Sequence, residues 1–275
     1  MALLLKSVPA SHGLRWIGDA FRLFMRRPLA FTSLFAVFLG LALMTTLVPV
    51  LGGLVQLMSL PLLSLGFMVA GQSALLDGPV HPRQFIEPLR GDTERRRALL
   101  ILCASYGASV LAILLLADVV SDNAWGRLQT LVARGTPAQA EIDALLAEPG
   151  VSVALLLGAT LGSVISVPFW HAPALVHWGG QSVGQALFSS TVAVWRSRGA
   201  FLTYMLGWVG VVLLFGVTAA LLFGLLGAPQ MAGLLGVPAG LVFSAVFYLS
   251  LLFTFNDSFG GAPPAAQEPG NSPMA

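Results

Sequence analysis

Six long runs of the sequence contain no Asp, Glu, Lys or Arg, and this feature limits the fold more than any other. A helix rises about 1.5 Å per residue, so about 20 apolar residues cross a hydrocarbon core about 30 Å thick. Charged residues make up 9% of the chain, against about 25% in soluble domains, which excludes a water-soluble fold. The sequence predicts an all-α polytopic membrane helical bundle, one domain over residues 1–259. Its six transmembrane helices are expected at residues 28–51, 54–76, 98–117, 151–176, 200–226 and 234–255.

The lysines and arginines predict the orientation of these helices. All but two of the 14 fall in the N-terminal segment or in the loops after the second and fourth runs. The other two, Arg127 and Arg134, lie in segment 118–150 among five acids. Because basic residues are retained on the cytoplasmic side, both termini are predicted to be cytoplasmic and segment 118–150 to lie outside.

The N-terminal segment has the pattern of an amphipathic helix with a basic face. Leu14, Ile17, Phe21 and Phe24 recur at steps of three or four residues, with basic residues on the opposite side. Such a helix is expected to lie flat on an anionic leaflet; a merely polar helix is the alternative.

Two further surface helices are predicted on the same side, within residues 77–97 and 179–199. Their apolar residues are Phe85, Ile86 and Leu89, after Pro82, in the first, and Val183, Leu187, Thr191, Val194 and Trp195 in the second. The expected partner of this surface is the lipid bilayer, with its anionic lipids. The arginines expected to contact it are Arg15, Arg22, Arg26, Arg27, Arg95, Arg96 and Arg97.

Segment 118–150 is expected to form a small extracytoplasmic cap of two helices. The first is predicted around Trp125, Leu128, Leu131 and Val132. Residues 136–139, Thr-Pro-Ala-Gln, supply an N-cap, a first-turn proline and a capping-box partner for the second. The Gly-, Pro- and Ala-rich tail at residues 260–275 is predicted to be disordered and cytoplasmic.

The fourth apolar run carries the strongest candidate for a site, because two prolines interrupt it. Pro168 and Pro173 lack the backbone donor, so carbonyls near Val164 and Phe169 lose their helical partners. A neighbouring helix, water or a ligand must satisfy these carbonyls. A kink that only shapes the bundle is the alternative to a ligand site. The predicted ligand-binding residues are Pro168, Trp170, His171, Pro173, His177 and Gln181.

The two histidines of this run raise the question of a metal. Six residues turn a helix through about 600°, which separates the rings of His171 and His177, whereas helical metal pairs are three or four residues apart. No carboxylate or cysteine lies near them in the sequence. The alternative places both histidines, with Trp170 and Trp178, in the cytoplasmic interfacial belt. We predict no metal and no cofactor.

Two parts of the chain suggest an internal repeat. Ser59-Leu60-Pro61 with Gly71-Gln72-Ser73 is similar to Ser166-Val167-Pro168 with Gly180-Gln181-Ser182. Each pair precedes an amphipathic loop and another span, so either two parallel units or chance similarity accounts for it.

Several stretches resemble an uncharacterised family of six-span inner-membrane proteins of beta-proteobacteria. They are the entry segment from Trp16 to Pro28, the stretch from Pro168 to Val176 with Ala186-Leu187-Phe188 and Ser190 after it, and the closing Asn256-Asp257-Ser258-Phe259. The resemblance implies a multi-pass protein of the bacterial inner membrane and brings no activity, cofactor or catalytic residue.

Three hypotheses of function follow from these patterns. The first is a non-catalytic inner-membrane protein acting through lipid or protein contacts, with a second copy or another membrane protein as a candidate partner. The second is a passive or lipid-linked transporter whose site is the broken fourth span. The third is an intramembrane metalloenzyme. The uncharged spans argue against an ion-coupled pump, no catalytic motif supports an enzyme, and topology explains the arginines without nucleic acid.

Overall fold

The computed structural model describes residues 4–48, 51–90, 92–134, 139–228 and 230–260, and this part of the chain is helical without any strand. The helices are α1 (His12–Arg26), α2 (Pro28–Thr45), α3 (Leu51–Leu75), α4 (Thr93–Val120), α5 (Ala124–Ala133), α6 (Gln139–Leu146), α7 (Pro149–Phe169), α8 (Ala172–Gly179), α9 (Val183–Arg196), α10 (Arg198–Leu225) and α11 (Gln230–Phe259). Residues 261–275 of the predicted tail and the predicted capping residues 136–138 lie outside the described residues.

Six helical segments are long and apolar enough to cross a membrane, which confirms the predicted fold class. They are Pro28–Thr45, Leu51–Leu75, Thr93–Val120, Pro149–Gly179, Arg198–Leu225 and Gly233–Phe259. Because the spans alternate in direction, α1, α8, α9 and the end of α11 share one face of the bundle. We call it the basic face, and the opposite one, with α5 and α6, the cap face.

The spans begin and end at identifiable signals. Arg27 leaves the helical region with φ of −145°, and Pro28 then occupies the first turn of α2, where its missing donor costs nothing. Asp92 accepts a hydrogen bond from the amide of Glu94 and acts as the N-cap of α4. The helix therefore begins at Thr93, five residues before Ala98, the predicted start of the third span. The predicted third span lies within this longer helix.

Helix α1 packs on the protein, so the prediction that its apolar face lies in the leaflet is wrong. Trp16 and Ala20 are buried against α10 and α11, whereas Leu14 is 60% exposed. The approach depends on Gly13, since a Cβ there would lie 2.2 Å from the carbonyl oxygen of Ala200. The groove between α10 and α11 offers α1 a protein surface as apolar as lipid.

The loop after α3 also differs from its prediction. Two 3-10 turns, Pro82–Phe85 and Glu87–Leu89, replace the expected surface helix, because Pro88 cannot continue it. Phe85 turns inward, with its ring 6.0 Å from Phe38 and 5.9 Å from Phe67. Only the predicted position of Pro82, at the start of a turn, agrees with the structure.

Helix α9 lies where a surface helix was predicted, and three of its five predicted apolar residues, Val183, Leu187 and Val194, pack against the core. Ala186, Ser190 and Ala193 are buried. Thr191 is exposed and Trp195 is 68% exposed, although both were assigned to the apolar side. Small residues bring α9 close to the bundle, which a pattern of large apolar residues does not reveal.

Candidate functional site

The fourth span breaks between α7 and α8, as its two prolines predict. Pro168 lies in the last turn of α7, and Pro173 lies in the first turn of α8. Ser190 of α9 fills the gap: its hydroxyl donates to the carbonyl of Val167 (2.9 Å) and accepts from the amide of His171 (3.0 Å). In an unbroken helix these two backbone groups would bond to each other. A neighbouring helix, and not a ligand, therefore satisfies them.

His171 is buried beside the break, and the predicted interfacial position for it is wrong. Its side chain is 0% exposed, and the rings of Phe201, Phe255 and Phe259 lie 5.9, 6.0 and 5.4 Å away. Neither ring nitrogen has a hydrogen-bond partner among the described residues. The chain folds inward here because the break redirects α8 toward the core, which sequence spacing cannot show.

Trp170 is also part of the core and not of an interfacial belt. Its indole N–H donates to Thr254 of α11 at 3.2 Å. Its ring stands edge-on to Phe201 and Tyr204, at 5.5 and 5.8 Å. Trp170 thus fixes the break against α10 and α11.

The remaining candidates, His177 and Gln181, lie at the end of α8. His177 is half-buried, with its ring 5.7 Å from that of Trp178. Gly180 adopts φ of 61° and ends the helix, and the amide of Gln181 returns to the carbonyl of Leu175 at 3.3 Å. The glycine pair thus serves helix termination. Within the described ranges, no three His, Cys, Asp or Glu side chains come together as metal ligands would.

A cavity of about 210 Å³ lies next to the break, between α3, α4, α7 and α11. Trp170 is the one predicted ligand-binding residue among its described lining. Phe169 and Ser166 join it, and Pro61 lines the opposite wall. Both members of the suggested repeat therefore border this cavity, although the repeat itself stays a prediction. The described lining is mainly apolar. Its polar side-chain groups are the hydroxyls of two serines and two tyrosines and the indole N–H of Trp170, which donates to Thr254.

Asp257 is a polar centre that the sequence interpretation missed. It lies near the end of α11. This helix ends at Phe259, four residues beyond the predicted end of the sixth span. Its Oδ2 atom lies 2.7 Å from Nδ1 of His12 and accepts a hydrogen bond from the indole of Trp16 at 2.8 Å. The only signal in the sequence was the Asn256-Asp257-Ser258-Phe259 stretch of the family resemblance.

The basic residues divide into two groups on the basic face. Arg27 is committed to the protein, since its guanidinium donates to the carbonyls of Asp77 and Gly78. Arg22 is largely exposed and pairs with Asp19 at 3.0 Å, and Arg95 is half-buried. Among the seven arginines predicted to contact lipid, those that are exposed and have no ion pair with a described residue are Arg15, Arg26, Arg96 and Arg97.

The six spans, the basic face and the small cap define a polytopic helical membrane protein. A probable inner membrane protein of Burkholderia thailandensis is 34% identical to the chain over 267 residues, which cover 96% of the chain and 94% of the relative. The chain belongs to the family of this inner-membrane protein, so the predicted family resemblance is confirmed. No family model matches the chain. No solved structure matches it either.

Proposed function

We propose that this protein is a non-catalytic component of the inner membrane that binds anionic lipids of the cytoplasmic leaflet, with both termini in the cytoplasm. The observation that carries the proposal is the group of exposed, unpaired arginines at Arg15, Arg26, Arg96 and Arg97. Near an anionic surface each such side chain contributes about 1 kcal/mol to membrane attraction.

The position of the arginines on α4 favours the proposed binding of anionic lipids. Arg95, Arg96 and Arg97 follow Thr93 in the first turns of the helix, where the helix dipole disfavours positive charge by about 0.3–1 kcal/mol each. Phosphate groups of the leaflet offset this cost. Docking of α1 on the bundle also fixes the backbone that carries Arg15 and Arg26, so only side-chain entropy is lost when lipid binds.

Lipid selection tests the proposal. The protein is reconstituted in nanodiscs of phosphatidylcholine with a minor fraction of phosphatidylglycerol, and bound lipid is counted by native mass spectrometry. Arg22→Ala with Arg26→Ala should reduce bound phosphatidylglycerol several-fold. The charge-matched control, Arg127→Ala with Arg134→Ala on the cap face, should not. Equal lipid content in all three proteins would reject the proposal.

The orientation is tested separately with thiol labelling of cells. Cys103 is the single cysteine and is buried, so a Cys103→Ala background is free of reactive thiols. A membrane-impermeant reagent should label Glu141→Cys on the cap face and leave Arg83→Cys on the basic face unlabelled. The reverse pattern would invert the proposed topology.

A second candidate function is a passive or lipid-linked transporter, and the cavity beside the broken fourth span supports it. Proteoliposomes with a fluorescent phospholipid and external dithionite measure lipid movement. The wild-type protein should accelerate bleaching of the inner leaflet. Ser166→Trp, which fills the cavity, and Pro168→Ala, which straightens α7, should slow it. A wild-type rate equal to that of empty liposomes would leave the break as a shaping device.

A further inference from the structure

A second and larger cavity, of about 470 Å³, lies near the cap face between α4 and α7. Ala124 of α5 and Leu145 of α6 close it from above and are 4% and 7% exposed. The volume falls within the range of about 300–1,000 Å³ typical of small-molecule sites. None of the six ligand-binding candidates from the sequence is among its described lining residues.

Small residues of α7 create this cavity. Ala154, Gly158 and Ala159 lie on the side of α7 that lines it, and a Cβ added to Gly158 would meet no atom within 4 Å. Nearer the cap the two helices approach closely, since a Cβ on Gly150 would lie 3.3 Å from the Cα of Ser121. Helices α4 and α7 are thus in contact near the cap, at Gly150, and are further apart at Gly158.

One carboxylate, from Asp118, stands out in the apolar lining. Its Oδ1 atom is buried and has no hydrogen-bond partner among the described residues. Ser121 is buried nearby, but its hydroxyl donates to the backbone carbonyl of Asp118 at 3.2 Å and not to the carboxylate. A buried carboxylate oxygen without a donor is unfavourable, so the site calls for a ligand that donates a hydrogen bond.

The charge of the cap favours a cationic donor. Segment 118–150 holds five acids and two arginines. Arg127 is committed to Glu148 through two contacts of 2.9 and 2.6 Å, and this hydrogen bonding raises the pKa of Arg127 above its ordinary value. Beyond the pair of Glu148 and Arg127, the segment holds four further acids against Arg134, so its net charge near the cavity is negative.

We propose that this cavity binds an aliphatic amine. Its ammonium group donates to Oδ1 of Asp118, and its chain lies along the apolar walls formed by α4 and α7. Leu114 and Leu155 border the cavity and are 45% and 63% exposed, so the chain reaches the site from the surrounding hydrocarbon. This site lies near the cap face, whereas the arginines proposed to bind lipid lie on the basic face. It does not depend on the proposed lipid-binding function.

Photolabelling tests the proposal on the full chain in phosphatidylcholine nanodiscs. The probe is dodecylamine with a diazirine in its chain, and labelled residues are mapped by mass spectrometry. Labels are expected within residues 113–121 and 151–159. Asp118→Asn should reduce labelling about tenfold, as loss of a charge-assisted hydrogen bond implies. Asp122→Asn, an exposed acid outside the cavity, should leave it unchanged.

Two matched variants keep the test independent of the carboxylate. Gly158→Leu places a side chain in the open space of the cavity and should block labelling. Gly162→Leu, one turn further along α7 and also unobstructed, should not. A dodecanoate probe with the same diazirine should label at least tenfold less than the amine. Equal labelling of Asp118→Asn and wild type, equal labelling by the two probes, or labels outside the cavity would each overturn the proposal.

Discussion

The Nδ1 atom of His12 lies 2.7 Å from Oδ2 of Asp257, although 245 residues of chain separate them. This contact joins the first helix to the last on the basic face. The main chain reinforces it nearby, where the amide of Lys6 donates to the carbonyl of Ser258 at 2.8 Å. Trp16 donates to the same carboxylate oxygen, so Asp257 is the point at which α1 is fixed to α11.

Replacement of Asp257 should therefore loosen α1. Asp257→Ala leaves the indole of Trp16, which is 1% exposed, without its acceptor, and a buried donor without a partner costs about 1–3 kcal/mol. We expect a lower midpoint of thermal unfolding in detergent. Asp92→Ala, an exposed N-cap on α4, is the control and should cost about 0.5–2 kcal/mol without freeing α1 to proteolysis. Resistance of α1 to protease in Asp257→Ala would show that packing alone holds this helix.

Ser190→Ala should destabilise the break in the fourth span. The variant removes the hydroxyl that links the carbonyl of Val167 to the amide of His171. The buried amide of His171 loses its acceptor, and the carbonyl of Val167 keeps only the amide of Trp170, at 3.5 Å. The expected cost is about 1–3 kcal/mol, measured as a shift of the unfolding midpoint.

The neighbouring Thr191→Ala serves as its control. Thr191 is exposed and donates only to the carbonyl of Leu187 in its own helix, so its loss should change stability by no more than about 0.5 kcal/mol. If the two variants unfold alike, water replaces the Ser190 hydroxyl at the break.

Gly13→Ala and Gly18→Ala should have opposite effects although both lie in α1. A Cβ on Gly13 would lie 2.2 Å from the backbone oxygen of Ala200, and backbone cannot move aside easily. A Cβ on Gly18 meets only the end of the Arg22 side chain, at 3.7 Å. Overpacking should cost Gly13→Ala about 1–3 kcal/mol or more, while alanine at position 18 should add up to about 1 kcal/mol of helix propensity.

Thermal unfolding and protease protection of α1 measure this difference. A Gly13→Ala protein as stable as Gly18→Ala would mean that α1 does not dock on α10 as closely as described.

The spans could be predicted from the sequence because lipid demands long uncharged helices, and no other physical solution fits such runs. The placement of α1 could not, because Trp16 and Ala20 meet lipid or another helix with nearly the same energy. The early start of α4 depends on Asp92, a cap that an uncharged window ignores. The extension of α11 to Phe259 includes Asp257, whose side chain is 38% exposed and contacts His12 and Trp16, and a search for uncharged runs stops before it.

The candidate site was predictable only in its backbone. Two prolines require a break near Trp170, and the break is present. Ser190 could not be identified as the group that fills it, because one serine on an amphipathic helix has the same pattern whether it faces solvent or a carbonyl. Asp118 was read as the end of a span, since burial of a single carboxylate oxygen depends on where α6 and α7 pass.

Removal of the polar atoms of His171 should not destabilise the protein. Its ring nitrogens have no hydrogen-bond partner within the described residues, and burial of such groups costs about 1–3 kcal/mol. His171→Leu keeps a side chain of similar size among Phe201, Phe255 and Phe259 and removes the polar atoms. The protein should unfold at the same temperature or a higher one, whereas His171→Ala should leave a void and unfold about 2–5 kcal/mol more easily. Equal destabilisation by both substitutions would mean that the ring nitrogens bind water or a ligand. The break in the fourth span would then again be a candidate binding site.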